Sequence, residues 1–291
     1  MKNPIKKICA VHDLAGLGRV SLNEVITILG TMGHQVVSLP TAILSSNTAY
    51  KNYRFMDLTE MMPEFIEHWK ELGVSFDAIY SGFLGSPKQI HIVEDLIRDF
   101  DNPGLIVVVD PVFGDDGELY PSFTLEIVDA MRKLIESADI ITPNITEAAF
   151  LLKEKYPVKA MSTDQAKDWC RRLADKGPNI VVLTSVPDTS VKKRTAVVAY
   201  DKEENRFWKV SCDYIPASYP GTGDAFTSVL LGSLMQGDSL PIALDRAVQF
   251  ISIGIRSTYG FKDQINEGIL VERVLTYLKT PIPMSSFEIL D

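Results

Sequence analysis

The stretch Tyr219-Pro-Gly-Thr-Gly-Asp-Ala-Phe226 joins an anion cradle to a carboxylate. Glycines at 221 and 223 let backbone N–H groups approach an oxyanion, and a helix starting there adds its positive N-terminal end. Such a turn suits a phosphate. Asp224 then stands where it can take a proton from a hydroxyl attacking that phosphate. Taken alone, the four residues read more simply as a glycine turn with Asp224 as a helix N-cap, so the rest of the chain has to decide.

Phosphoryl transfer also needs a cation bridge for nucleotide phosphates. Asp110, Asp115, Asn144 and Glu147 supply oxygens of the kind hard cations take, directly or through water. Each has a structural alternative. Asp110-Pro is a strand-ending turn, Asn144 is an N-cap with Glu147 as its capping-box partner, and Asp115-Asp-Gly117 is a solvated turn. No GxxxxGK[ST], GxSxG or HExxH occurs, and Gly16-Leu-Gly18 does not complete a GxGxxG because Ser21 holds its last position. His34, His68 and His91 read as surface or helix-end residues. His12 borders the same strand ends as the acids, where hydrogen bonding within the loop is the simpler role.

These residues need a scaffold that collects them. Short apolar runs, Ile8 to Val11, Gln35 to Leu39, Phe76 to Tyr80, Leu105 to Val109, Asp139 to Ile141 and Ile180 to Leu183, read as strands. Between them Leu58 to Leu72, Pro87 to Phe100, Pro121 to Ser137 and Thr163 to Lys176 carry apolar residues at spacings of three and four. The alternation predicts an α/β fold with a mostly parallel sheet covered by helices on both faces. Thr195 to Tyr200 and Arg206 to Cys212 read as an antiparallel hairpin at the sheet edge. Three helical segments follow, Asp224 to Gln236, Leu240 to Ser257 and Glu267 to Leu278, and the tail from Thr280 to Asp291 runs over the surface. In open α/β sheets ligands bind beyond the carboxyl ends of the strands, where His12-Asp13, Ser81-Gly-Phe-Leu-Gly85, Asp110, Thr142-Pro-Asn144 and Thr184-Ser185 all fall.

A chain of 291 residues, 46% hydrophobic, buries a substantial core, and no composition shift marks a linker, so residues 1–291 are expected to form one domain. A formal charge of −9 argues against a broad nucleic-acid or acidic-membrane surface and favours a small-molecule partner. Cys9, Cys170 and Cys212 give neither a disulfide framework nor a CxxC pattern. With no apolar leader and no apolar run approaching a membrane span, a cytoplasmic protein is expected.

Asp110-Pro-Val with Gly114-Asp115, Thr142-Pro-Asn-xx-Glu147, Thr184-Ser185 and Gly221-Thr-Gly-Asp224, in this order, resemble the ribokinase superfamily, specifically its pyridoxal kinase branch. Val11 to Arg19 and Pro40 to Thr48 further resemble a bacterial pyridoxamine or pyridoxal kinase subgroup. The resemblance runs from about Ile8 to Ser257. It implies a ribokinase-like three-layer fold, a homodimer, and ATP-dependent phosphorylation of the 5′-hydroxymethyl group of vitamin B6, with magnesium and often a monovalent cation such as potassium. It makes Asp224 the base and the amides of Gly221, Thr222 and Gly223 the anion hole. It puts Asn144 and Glu147 in the magnesium and phosphate motif, and Asp110, Asp115, Thr142, Thr184 and Ser185 around the nucleotide phosphates. Thr48 matches a substrate-pocket threonine. Phe83 stands where related kinases have a tyrosine, and Asp13 where they have a serine that contacts the pyridine ring. The rival within the superfamily is a hydroxymethylpyrimidine kinase of the thiamin branch, which usually carries Gln before Asn-Thr and a Lys-x-Gly-Met segment; here those stretches read Ser46-Asn-Thr48 and Ser81-Gly-Phe-Leu-Gly85. A rival of another class is a vitamer-binding protein without turnover, against which the intact Asp224 and its cradle argue.

Overall fold

The computed structural model describes residues 4–121, 123–157, 161–187, 194–261, 265–280 and 286–290. Its centre is a ten-stranded sheet. The strands are β1 (Lys7–Ala15), β2 (Gln35–Leu44), β3 (Phe55–Asp57), β4 (Ala78–Ser81), β5 (Ile106–Val109), β8 (Ile140–Ile141), β9 (Ile180–Pro187), β10 (Arg194–Asp201), β11 (Arg206–Asp213) and β12 (Phe287–Leu290), with β6 (Gly114–Asp115) and β7 (Glu118–Leu119) forming a separate hairpin. In space the order is β12-β11-β10-β9-β8-β5-β4-β1-β2-β3. The six strands from β9 to β2 run parallel, while β3 and the β10-β11-β12 ribbon are antiparallel.

The helices are α1 (Ser21–Thr31), α2 (Met62–Glu71), α3 (Pro87–Asp99), α4 (Leu125–Leu134), α5 (Ile145–Leu152), α6 (Thr163–Ala174), α7 (Thr222–Met235) and α8 (Leu240–Thr258). Alternation along the strands divides the core in two. Ile8, Ala10, Ala78, Tyr80, Val108, Ile140 and Val182 pack under α1, α7 and α8. Their odd-numbered neighbours Cys9, Val11, Ile79, Val107, Val109, Ile141, Val181 and Leu183 pack under α2 to α6. This is the three-layer α/β arrangement the periodicity predicts, with side chains two residues apart sharing a face.

Three expectations are corrected. The segment from Glu267 to Leu278 is not an α-helix but bends around two 3₁₀ turns, Val271–Arg273 and Leu275–Lys279. β10 and β11 form the expected antiparallel hairpin at this side of the sheet, and β12 extends it by pairing antiparallel with β11 from Phe207↔Leu290 to Val210↔Phe287. The tail from Phe287 to Leu290 is therefore part of the sheet rather than a surface run. It is anchored by Asp245, fully buried on α8, which accepts hydrogen bonds from the Ser286 N–H and, at 2.6 Å, from its hydroxyl. His34 is also buried rather than exposed, with Nε2 3.0 Å from the Gly232 carbonyl oxygen.

Candidate active site

Strand parity builds the site. Following the even-numbered face along β1 and β9 and just past the carboxyl ends of β4, β5 and β8 gives His12, Thr184, Gly82, Asp110 and Thr142; the same face packs under α7. Contacts with α7 bear this out for three of them. Thr227 donates to the Thr142 hydroxyl at 3.0 Å, His12 Nδ1 lies 3.6 Å from Asp224 Oδ1, and a Cβ built on Gly223 would stand 3.6 Å from Asp110 Oδ2.

Gly221 caps α7 with φ 86°, a left-handed conformation that favours glycine, and a Cβ there would meet the Arg19 carbonyl and Glu24 Oε2 at 2.5 Å. Thr222 and Gly223 follow in the first helical turn, where backbone N–H groups lack intrahelical partners. Gly223 is exposed, and a Cβ on it would reach Asp110 Oδ2 at ordinary contact distance, so the cradle faces solvent on one side and Asp110 on the other. Asp224 comes next. Its Oδ2 accepts the Ser21 N–H at 2.9 Å, across 203 positions of sequence. Ser21 holds φ 51°, a strained value for a residue with a side chain, and that conformation accompanies an amide aimed at the carboxylate.

Behind the cradle lie acids in a poorly solvated layer. Asp110 is 5% exposed; burial first, and then the charge of Asp224, pushes its carboxyl up to about 8, against the pull of the Thr142 and Thr227 hydroxyls. Burial and the Asp110 charge likewise hold Glu147 well above the usual carboxylate range. Asp13, also buried, is raised by burial more than the Ser21 hydrogen bond lowers it. Glu24 had no motif to announce it. It is 1% exposed, neither of its oxygens has a hydrogen-bond partner among the described residues, and burial followed by the charges of Asp224 and Glu272 raises its carboxyl well above normal. The readable trace was an acid within the apolar stripe of α1 formed by Leu22, Val25, Ile28 and Leu29.

Asn144 and Glu147 form the capping box of α5. The Asn144 side chain accepts the Glu147 N–H at 2.9 Å, and Glu147 Oε2 accepts the Asn144 N–H at 2.8 Å. Glu147 Oε1 also takes the Phe113 N–H at 3.3 Å, and Asn144 Nδ2 donates to the Gly114 carbonyl at 2.9 Å. Among the described residues no three His, Cys, Asp or Glu side chains are grouped to hold an ion directly. Two buried carboxylates, Asp110 raised by burial and the Asp224 charge and Glu147 by burial and the Asp110 charge, nevertheless suit a hydrated divalent cation beside them.

Other sequence candidates sit further out. Asp115 is exposed on the β6-β7 hairpin, whose loop residues Asp116 and Gly117 have φ 50° and 83°, the paired positive values of a type I′ turn. The turn accounts for the Asp116-Gly117 pair. Thr184 accompanies an irregularity in the β9-β10 register, and Ser185 is exposed with φ 60°. Phe83 follows the odd-numbered parity onto the opposite face, half-buried, and stacks on Phe123 at 5.4 Å. Gly82 makes room for protein rather than ligand, since a Cβ there would lie 2.4 Å from the His12 ring. Thr48 is exposed on the loop after β2. Its neighbour Asn47 is buried and donates to the Asn266 carbonyl at 2.7 Å, fastening that loop to the segment after α8. Gly18 lies under the same side chain, for a Cβ on it would come 2.5 Å from Asn47 Nδ2. The segment 50–55 leads into β3, its base closed by Ser45 and Arg54, with the Tyr50 hydroxyl 3.4 Å from Glu267 Oε1.

The family described as Phosphomethylpyrimidine kinase matches residues 25–268. A Bacteroides thetaiotaomicron VPI-5482 protein described by the same kinase name, and solved with pyridoxal, is 57% identical, covers 98% of this chain and 100% of its own, and superposes with a TM-score of 0.94. The pyridoxal kinase of Lactobacillus plantarum is 28% identical over 94% of this chain and 96% of its own, with a TM-score of 0.86. An Arabidopsis thaliana pyridoxal kinase is 28% identical over 261 residues, which is 87% of this chain and 82% of that one.

Proposed function

Because the chain belongs to the phosphomethylpyrimidine kinase family, in the pyridoxal kinase branch of the ribokinase superfamily, we propose that it transfers the γ-phosphoryl group of ATP to the 5′-hydroxymethyl group of a vitamin B6 vitamer. The observation that carries the reaction is the Asp224 carboxylate, fixed by the Ser21 N–H one residue beyond the glycine cradle. The pyridoxal held by the 57% identical relative supports the substrate class.

The acceptor alcohol approaches Asp224 on its solvent-facing side, and the carboxylate takes the hydroxyl proton as the oxygen–phosphorus bond forms. Free amides at the start of α7, from Gly221, Thr222 and Gly223, receive the charge on the transferred group, aided by the helix N-terminus. Asp110 and Glu147 would hold magnesium through water, with Asn144 keeping Glu147 in place; the ion supplies neutralisation of the nucleotide phosphates. Thr142, Thr184 and Ser185 line the strand ends beside that region, and Asp13 is the buried acid nearest to hand for a pyridine substituent. Roles for Phe83 and Thr48 require the vitamer to reach the rim of the site, and Asp115 enters only if the nucleotide extends to the β6-β7 turn. A monovalent cation such as potassium and a cytoplasmic location belong to the same reading; no helix among the described residues is long and apolar enough to cross a membrane.

A vitamer panel with an ATP-consumption readout tests the proposal. Pyridoxal, pyridoxine or pyridoxamine should be phosphorylated, ribose should not, and in one-pot competition the vitamer should exceed hydroxymethylpyrimidine by about 10–200-fold in kcat/KM, the range one pocket contact or two can supply. Asp224→Asn should lower kcat roughly 10²–10⁴-fold with little change in ligand affinity. The family description makes the pyrimidine the second reading, and a preference for it would move the substrate while leaving the phosphotransfer in place. Binding of vitamer without ATP consumption would leave a ligand-binding protein instead.

A further inference from the structure

We propose that His12 is a positioning residue for the phosphoryl transfer, holding the Asp224 carboxylate from its buried side. The inference rests on Asp224 being the base. His12 is fully buried, yet among the described residues neither ring nitrogen has a hydrogen-bond partner. Burying an unsatisfied imidazole costs free energy that an apolar ring would avoid, so its place here calls for a polar partner. Its Nδ1 stands 3.6 Å from Asp224 Oδ1, just beyond hydrogen-bond reach, a separation that substrate-bound sites commonly shorten.

The surroundings leave the ring little choice of position. Tyr80 meets it edge-on, with centroids 4.4 Å apart and planes at 76°, and the Tyr80 hydroxyl lies 3.5 Å from the Asp224 carbonyl. On the other side Gly82 has no Cβ, and any Cβ would occupy the imidazole's own space at 2.4 Å. The charge balance points the same way. Asp13 from β1, Glu24 from α1 and Asp110 just after β5 face Asp224 with like charge when ionised, and the Tyr80 and Tyr120 hydroxyls face it too. Among the described residues His12 is the basic side chain within ion-pair distance of Asp224. With the Ser21 N–H on Oδ2 and the His12 ring at Oδ1, both oxygens are fixed from the protein side. Their remaining lone pairs are then free for the acceptor hydroxyl.

Two variants and one spectrum test this. His12→Leu fills the space without a donor, and His12→Asn places an amide near the position of Nδ1. In the leucine variant kcat should fall roughly 10–100-fold, as for other groups that orient a reacting one, with KM for ATP and vitamer within about two-fold of the parent. The acid limb of its kcat profile should move to higher pH, because a carboxylate that loses a donor is harder to ionise. The asparagine variant should recover most of the rate. A leucine variant with parental kcat and pH profile, or an asparagine variant that folds yet is as slow as leucine, overturns the proposal. Should either variant not fold, ¹⁵N-histidine spectra of the intact parent and Asp224→Asn decide: the resonances of one imidazole should shift, and no shift in any of the four histidines defeats the contact. The spectrum is independent of turnover, so a parent that phosphorylates no vitamer defeats the function reading without deciding the contact.

Discussion

At the scale of single residues, Asp110 carries a conflict that the chain resolves only with a ligand. Its carboxyl is pushed up to about 8 by burial and by the neighbouring Asp224. For a carboxyl raised on folding, stability is unaffected below the ordinary carboxylate value and falls as pH climbs from there to the folded value, because the unfolded chain has already released the proton that the folded one keeps. Asp110→Asn keeps the shape and removes the charge. The ligand-free variant should therefore melt above the parent at pH 8, with the gap narrowing toward pH 5, and thermal melts across that window would measure it. A gap independent of pH would mean that Asp110 ionises without penalty. Residues of this kind were partly legible: Asp110 and Thr142 announce themselves as polar groups that end apolar runs. Ser21 and Glu24 do not, since their meaning arises from contact with residues about 200 positions away, which no local pattern records. Asp115 shows the opposite ambiguity, an acid in a suggestive place whose neighbours Asp116 and Gly117 also make a turn.

At the scale of elements, the start of α7 separates packing from chemistry. Gly221→Ala would drive a Cβ into the Arg19 carbonyl and the Glu24 carboxyl at a left-handed φ, so the turn itself must shift. A loss of about 1–3 kcal/mol is expected from such strain. Gly223→Ala meets only Asp110 Oδ2, at the ordinary contact distance of 3.6 Å, and its backbone suits alanine. It should melt near the parent yet bind ATP and turn over poorly, because the methyl group enters the cradle. Paired melting and kinetic measurements distinguish them; an active Gly223→Ala enzyme would show that the anion sits elsewhere. The long βα units were legible because their helices carry a full apolar stripe. By contrast β3 and β12 have three and four residues, too few for any period, and are defined by the partners they find. The apparent helix at Glu267 to Leu278 failed for a related reason. Its apolar spacing is helical, but the segment is held at its start by the Arg19 N–H on the Glu267 carbonyl and by Gly268 at φ 90°.

At the scale of the whole molecule, the β3 side of the sheet presents an unpaired edge carrying Phe55, 52% exposed, and Met56, 61% exposed, the latter paired in register with the exposed Ile43. Unpaired apolar edges are places where chains associate. We expect a second copy to cover this one, giving a particle near twice 32.4 kDa, and Met56→Glu to release the protomer. Light scattering on parent and variant would check both masses, and a monomeric parent would dismiss the dimer. Strand parity, which sends His12, Gly82, Asp110, Thr142 and Thr184 toward one helix, has a consequence for how this molecule tolerates change. Five strands act as reading frames. Replacing a side chain within β5 disturbs one position, whereas inserting or deleting a single residue before Asp110 exchanges the faces of all that follow, turning that carboxylate into the apolar layer of Val107 and Val109 and away from α7. The turn between Asp201 and Arg206, which joins β10 to β11 far from these strand ends, carries no such frame. Length can vary there while in the five strands only composition can.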